Sequence, residues 1–178
     1  MLDPTERSRP ARYHRLMRVR LARPSDAESI RSIYNAEVTG STATFDLVPR
    51  SSEEQLAWLA DHSGPYPAIV ATDGSDAVVG FGSLSEYKNR PSYATTVENS
   101  VYVAASHRGE GAGRDLLEQL IDLATQHGFH SVIARVGGDN QASIALHQAC
   151  GFTLVGVERE VGRKFGRWLD VTVLQRLL

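Results

Sequence analysis

The sequence predicts a single α/β domain: a mixed β-sheet flanked by helices. Three observations lead there. Strand-like and helix-like segments follow one another in the order β-α-α-β-β-β-α-β-α-β-β. One segment, with Leu116, Leu117, Leu120, Ile121 and Leu123 on a common stripe, has the apolar period of a long amphipathic helix. Another, residues 97–103, alternates with the two-residue period of a strand. The 178 residues suit one compact domain with a sizeable core.

The elements are legible in turn. Residues 1–17 hold Arg7, Arg9, Arg12 and Arg15 with Pro4 and Pro10 and little apolar content, the pattern of a flexible basic tail before a domain spanning 18–178. Val19 and Leu21 alternate with arginines as a first strand. Pro24, Ser25 and Asp26 start a helix carrying Ile30, Ile33 and Tyr34. Ser51-Ser52-Glu53-Glu54 starts a second, with Leu56 and Leu59 as its apolar positions. Residues 68–71 and 77–84 read as a hairpin around Asp73-Gly74. In the strand at 97–103, Val97, Val101 and Val103 share one face, and Glu98, Ser100 and Tyr102 the other. A glycine-rich turn and the amphipathic helix follow, stopped by Gly128. Residues 131–136 form a buried-type strand and 140–150 a short helix stopped by Gly151. Two last strands, 153–160 and 168–174, flank a turn at 162–166.

Composition narrows the function classes. With 42% hydrophobic and 22% charged residues the chain is ordinary for a soluble domain, and a net charge of −2 gives no reason to expect nucleic acid. No apolar run reaches the ~20 residues that span a bilayer, and no secretory signal is visible, so the expected location is the cytoplasm. Cys150 is the single cysteine and the six histidines are scattered, which argues against a disulfide framework or a metal site.

The chemistry concentrates where Val101-Tyr102-Val103 runs into Arg108-Gly109-Glu110-Gly111-Ala112-Gly113. Strand, glycine loop and helix in that order leave free backbone N–H groups at a helix N-terminus, where the dipole favours an anion such as a phosphate. Arg108 or Arg114 could add charge. No Gly-Lys-Ser/Thr follows, so this is not a P-loop, and the Rossmann fingerprint spaces its glycines differently.

Arg-x-x-Gly-x-Gly after a Val-Tyr-Val strand resembles the acetyl-CoA pyrophosphate loop of the GCN5-related N-acetyltransferase superfamily. Asn140-Gln141-Ala142-Ser143 with Cys150-Gly151-Phe152 is similar to that superfamily's later Asn-x-x-Ser…Gly-Phe motif. Four further segments narrow the likeness to the phosphinothricin and methionine sulfoximine acetyltransferases. They are Ile33-Tyr34-Asn35; Tyr87-Lys88-Asn89-Arg90-Pro91-Ser92-Tyr93 with Thr96-Val97-Glu98-Asn99-Ser100; Leu146-His147; and Val161-Gly162-Arg163-Lys164-Phe165-Gly166-Arg167-Trp168-Leu169-Asp170. The resemblance implies a largely antiparallel twisted sheet, acetyl-CoA as cosubstrate without a metal, a small amino-acid-like amine as acceptor, and a homodimer. It also implies a CoA contact for Val101, Tyr102, Val103, residues 108–113, Asn140 and Ser143.

Each site residue has a bland alternative. Acetyl transfer to an amine needs a base, and Glu98 stands on the strand before the loop, where the resembling family has its proposed base; otherwise it is an exposed strand glutamate. His147 is one helical turn beyond Ser143 and is either an acid, a base or a structural histidine. Asn140 suits a helix N-cap with or without a ligand. Arg90, with Tyr93 beside it, either pairs with an acceptor carboxylate or belongs to a solvated loop. Tyr34, Asn35 and Phe45 wall an acceptor pocket or pack the core. Lys164, Trp168 and Asp170 lie near the acceptor pocket and the dimer contact in the resembling family, with packing the simpler role for Trp168. Cys150 has no neighbouring base and is expected to be structural.

Direct transfer in a ternary complex is the mechanism expected: Glu98 takes the ammonium proton, a backbone N–H of residues 101–103 polarises the thioester carbonyl, and His147 protonates the leaving thiolate. Two alternatives stay open. One is another amine acceptor: a protein N-terminus, a polyamine or an aminoglycoside. The other is a non-catalytic acyl-CoA-binding sensor.

Overall fold

The computed structural model describes residues 17–178. In chain order these form β1 (Arg18–Leu21), α1 (Ala27–Gly40), α2 (Ser52–Asp61), β2 (Ala68–Thr72), β3 (Val78–Glu86), β4 (Thr96–Val103), α3 (Ala112–Gln126), β5 (Ser131–Gly137), α4 (Gln141–Ala149), β6 (Thr153–Lys164) and β7 (Arg167–Leu177). The strands build one seven-stranded sheet in the order β1-β2-β3-β4-β5-β7-β6. Every neighbouring pair is antiparallel except β4 and β5. That parallel pair needs a crossover, which α3 supplies. The mixed, mostly antiparallel sheet with helices on both faces is the predicted architecture.

The β4–β5 pairing is short. It runs from Thr96 opposite Ser131 to Asn99 opposite Ala134, and the strands then part. The sheet is forked there, and the fork opens toward the glycine loop.

Two cores fill the two faces. On one, α3 buries Leu116, Leu117 and Leu120 completely against Val97, Val132 and Leu174. On the other, Ile30, Tyr34 and Val38 of α1 pack on Val70 and Phe81. Burying one such aliphatic side chain contributes roughly 1.5–3 kcal/mol. The alternation in β4 divides between them: Val97, Val101 and Val103 meet the α3 core, while Tyr102 meets the α1 core.

Local chemistry sets the helix ends. Ser51 and Glu54 form a reciprocal capping box, with the Ser51 N–H donating to Glu54 Oε2 at 2.7 Å and the Glu54 N–H to Ser51 Oγ at 3.2 Å. Asp26 is buried at the start of α1, where Arg20 clasps it through two bonds of 2.7 and 3.0 Å. In α2 the inward positions are Gln55, Trp58 and Leu59, whereas Leu56 is half exposed. The final turn also differs from expectation. β6 continues through Gly162 to Lys164, and the connection to β7 is the two-residue turn Phe165-Gly166, both with positive φ. The register shifts between Glu158 and Gly162, where the Glu160 N–H bonds the Asp170 carboxylate instead of the ladder.

The basic tail expected over residues 1–17 lies outside the described residues except for Met17, which packs against the α3 core. Among the described residues no helix is long and apolar enough to cross a membrane.

Candidate active site

A cleft of about 950 Å³ opens at the fork. The end of β4 forms one wall with Val101, Tyr102 and Val103, and α4 forms another with Asn140, Ser143 and Leu146. Its floor is the glycine loop, contributing Arg108, Gly109, Gly111, Gly113 and Arg114. Of the residues expected to touch a cofactor, all line this cleft except Glu110 and Ala112.

The loop is shaped to receive an anion. Gly111 precedes α3 with φ of 101°, a left-handed conformation that a side chain would strain. The first bonds into the helix start at Arg114 and Asp115, whose N–H groups donate to the Gly111 carbonyl. The N–H groups of Ala112 and Gly113 have no backbone partner among the described residues. Unpaired amides at the positive end of α3 form a phosphate cradle. The pyrophosphate of a CoA thioester fits it. Arg108 lines the cleft but is already engaged: its guanidinium pairs with the buried carboxylate of Glu37 on α1, and its Nε donates to the Val103 carbonyl at 3.3 Å. Arg114, in the first turn of α3, also lines the cleft, and no ion pair engages it among the described residues.

A strap of chain between α1 and α2 closes the cleft on the other side through Ser41, Thr42 and Ala43. Several contacts fasten it. Ser41 Oγ donates to Glu37 Oε2 at 2.5 Å. The buried Lys164 ammonium donates to the Thr44 carbonyl at 2.8 Å. The Tyr34 hydroxyl donates to Asp46 Oδ2 at 2.6 Å and lies 2.8 Å from Thr44 Oγ1. The Phe45 ring lies against the backbones of Gly137 and Gly162. Tyr34 is thus buried among strap and core residues and lines neither this cleft nor the slot described next. Asn35 accepts from the Arg50 N–H and donates to its carbonyl, both at 2.8 Å, and so fixes the strap's far end.

A narrow slot of about 60 Å³ continues from the cleft into the fork, past Asn99, Arg135 and His147. Asn140 caps α4, its Oδ1 accepting from the Ser143 N–H at 3.1 Å, so the local role expected for it is present. His147 is buried, and burial holds its imidazole below the ordinary pKa while the Ser143 carbonyl opposes that. Asn99 Nδ2 donates to the Ile133 carbonyl at 3.1 Å, which turns its Oδ1 toward His147 Nε2, also at 3.1 Å. His147 Nδ1 faces the Ser143 carbonyl at 2.8 Å. Both ring nitrogens therefore face acceptors, and a single proton satisfies only one of them. Asn99 is a residue the sequence reading passed over. Its signal was there: it interrupts the valine face of β4 with an amide.

Glu98 lies on the opposite face, half buried, opposite Ser85 of β3 and Ile133 of β5. It lines neither cavity. Burial raises its carboxyl pKa; Arg135 pulls the value back down and Glu158 adds to the rise. Arg90 is exposed and makes no side-chain bond among the described residues, whereas Tyr93 packs edge-on against Tyr87 with Lys88 over both rings. Trp168 and Asp170 sit on the cleft rim; Trp168 is 61% exposed under Arg163, and Asp170 pairs with Arg159 at 2.8 Å. Cys150 is buried with its thiol pKa raised by that burial, which removes the thiolate a nucleophile needs. No group of three or more His, Cys, Asp or Glu among the described residues is arranged to hold a metal ion.

Known proteins resemble this chain in sequence and fold. The model of the acetyltransferase (GNAT) domain matches residues 19–173. A phosphinothricin N-acetyltransferase of Streptomyces coelicolor is 40% identical over 165 residues, 91% of this chain and 96% of its own. An L-methionine sulfoximine/L-methionine sulfone acetyltransferase of Pseudomonas paraeruginosa is 39% identical over 158 residues, 88% of this chain and 92% of its own. Among solved structures, a GNAT superfamily phosphinothricin acetyltransferase from Sinorhizobium meliloti in complex with acetyl-CoA has a TM-score of 0.88 at 39% identity, covering 91% of this chain and 88% of its own. With the glycine cradle, the forked sheet and a family match over nearly the whole described chain, the protein belongs to the GNAT acetyltransferases.

Proposed function

We propose that the protein acetylates the amino group of a small amino-acid-like acceptor, of the phosphinothricin or methionine sulfoximine type, with acetyl-CoA as the donor. The observation that carries this is the cleft that runs from an anion cradle to the fork of β4 and β5, in a chain about 40% identical to enzymes named for those acceptors. Acetyl-CoA supplies the acetyl group as an activated thioester. The amides of the glycine loop hold its pyrophosphate, and Asn140 and Ser143 on α4 border its arm. Beyond Asn99, β4 has no strand partner on its β5 side; the Ala104 N–H bonds β3, so by alternation the N–H groups of Val101 and Val103 face the open side, free to polarise a carbonyl there.

Glu98 is the general base: its carboxylate takes a proton from the acceptor's ammonium, directly or through water. A raised pKa makes it the stronger proton acceptor once ionised. His147, on the slot beside the cleft, delivers a proton to the leaving sulfur; its two acceptor-facing nitrogens oppose the burial that holds its pKa below the ordinary value. Arg90 and Tyr93, in the loop before β4, border the acceptor. A cytoplasmic homodimer completes the proposal. The exposed Leu154, Val155, Val157 and Val161 of β6 offer the subunit contact, and sedimentation velocity distinguishes dimer from monomer.

The test of the base is Glu98→Gln, which keeps the shape and removes the charge. The expected result is a fall in kcat/KM of about 10²–10⁴, the usual share of a general base, read as thiol release from acetyl-CoA. A fall of less than about tenfold takes Glu98 out of that role.

A further inference from the structure

The Glu98 face carries a guanidinium that this chemistry leaves unused. The geometry points to Arg135 as the residue that binds the acceptor's carboxylate, with Glu158 holding its place when no acceptor is bound; this rests on the amino-acid acceptor proposed above.

Register sets the position. Glu98 stands opposite Ile133, and side chains two apart on a strand share a face. Arg135 is therefore the next β5 side chain on the Glu98 face, about 7 Å toward the fork. It also lines the slot into which the cleft continues. An α-amino acid carries its ammonium and carboxylate on one carbon, so a base and a guanidinium this close can grasp both ends.

The guanidinium already holds a carboxylate. Arg135 Nη1 donates to Glu158 Oε1 at 2.9 Å and Nη2 donates to Glu158 Oε2, the two-point geometry that a substrate carboxylate would reproduce. Exchange costs little, because the pair is partly solvated, with side chains 33% and 41% exposed. A displaced Glu158 keeps company with Lys88, which already stabilises its charge. The charges also match. Glu98 and Glu158 face Arg135 and Lys88, two against two, and a zwitterion enters without adding net charge. Arg90, the arginine singled out from the sequence, is exposed and unbonded among the described residues, with nothing orienting its fork.

The test compares methionine sulfoximine with its α-carboxamide in thiol release by the full chain. Arg135→Gln is expected to cut the preference for the acid over the amide by about 30- to 100-fold, the worth of a charge-assisted bond. Arg135→Lys should fall between, keeping charge but losing the fork. Glu158→Gln removes the internal competitor and should lower KM for the acid several-fold. An acid-over-amide preference that survives in Arg135→Gln overturns the assignment while leaving acetyl transfer intact. If Arg135→Gln does not fold, Glu158→Gln decides: an unchanged or raised KM overturns it. Wild-type protein that acetylates no amino acid overturns both the assignment and the acceptor class beneath it.

Discussion

At Glu98 burial and charge pull in opposite directions, and burial wins. The carboxyl is desolvated on its sheet face, Glu158 adds repulsion, and Arg135 offsets only part of the rise. A base works ionised, so activity must fall as pH drops through the raised pKa. The acid limb of kcat/KM is therefore expected above the ordinary glutamate value of about 4.3, measured by thiol release from pH 4.5 to 8. A limb at or below that value would place the working base elsewhere. Single residues were unevenly legible. Alternation alone separated Glu98 from the valines, and the place of Asn140 at the start of a helical segment found the cap of α4. Asn99 and Arg135 were not found, because their partners are distant in sequence: Asn99 bonds Ile133, 34 residues on, and Arg135 bonds Glu158, 23 residues on.

Among the elements, the strap between α1 and α2 shows how glycine is used where two backbones must meet a ring. A Cβ on Gly162 would lie 2.1 Å from Phe45 Cε2, and one on Gly137 2.6 Å from Cε1. Gly162→Ala is expected to expel the ring and cost about 1–3 kcal/mol, the usual range for overpacking, read by chemical denaturation. In a Phe45→Ala background the same change should cost little, since the clash is gone. Equal costs in both backgrounds would mean the ring does not rest there. In the sequence Gly162 reads as part of a turn, since an isolated glycine near Phe165-Gly166 looks the same whether it bends the chain or admits a neighbour. The inward face of α2 was misassigned for a related reason: in ten residues, Leu56 and Gln55 differ by one position, and only packing decides between them. The capping box at Ser51, a purely local device, was fully legible.

At the scale of the whole molecule, the order of elements was readable because periodicity and turn chemistry are local. The fork was not. It exists because β4 and β5 stop pairing after Asn99, a property of two strands brought together by α3 and not of either alone. Yet the fork is what joins the glycine cradle on one side of the sheet to the Glu98 face on the other, so the proposed chemistry depends on it. The most direct test is thiol release from acetyl-CoA by the wild-type chain across a panel of amines: phosphinothricin, methionine sulfoximine, methionine sulfone, a polyamine, an aminoglycoside and a peptide N-terminus. Turnover strongly favouring the three amino acids is the predicted result. Tight acetyl-CoA binding with no turnover of any amine would contradict it and make the protein an acyl-CoA sensor on an enzyme's fold.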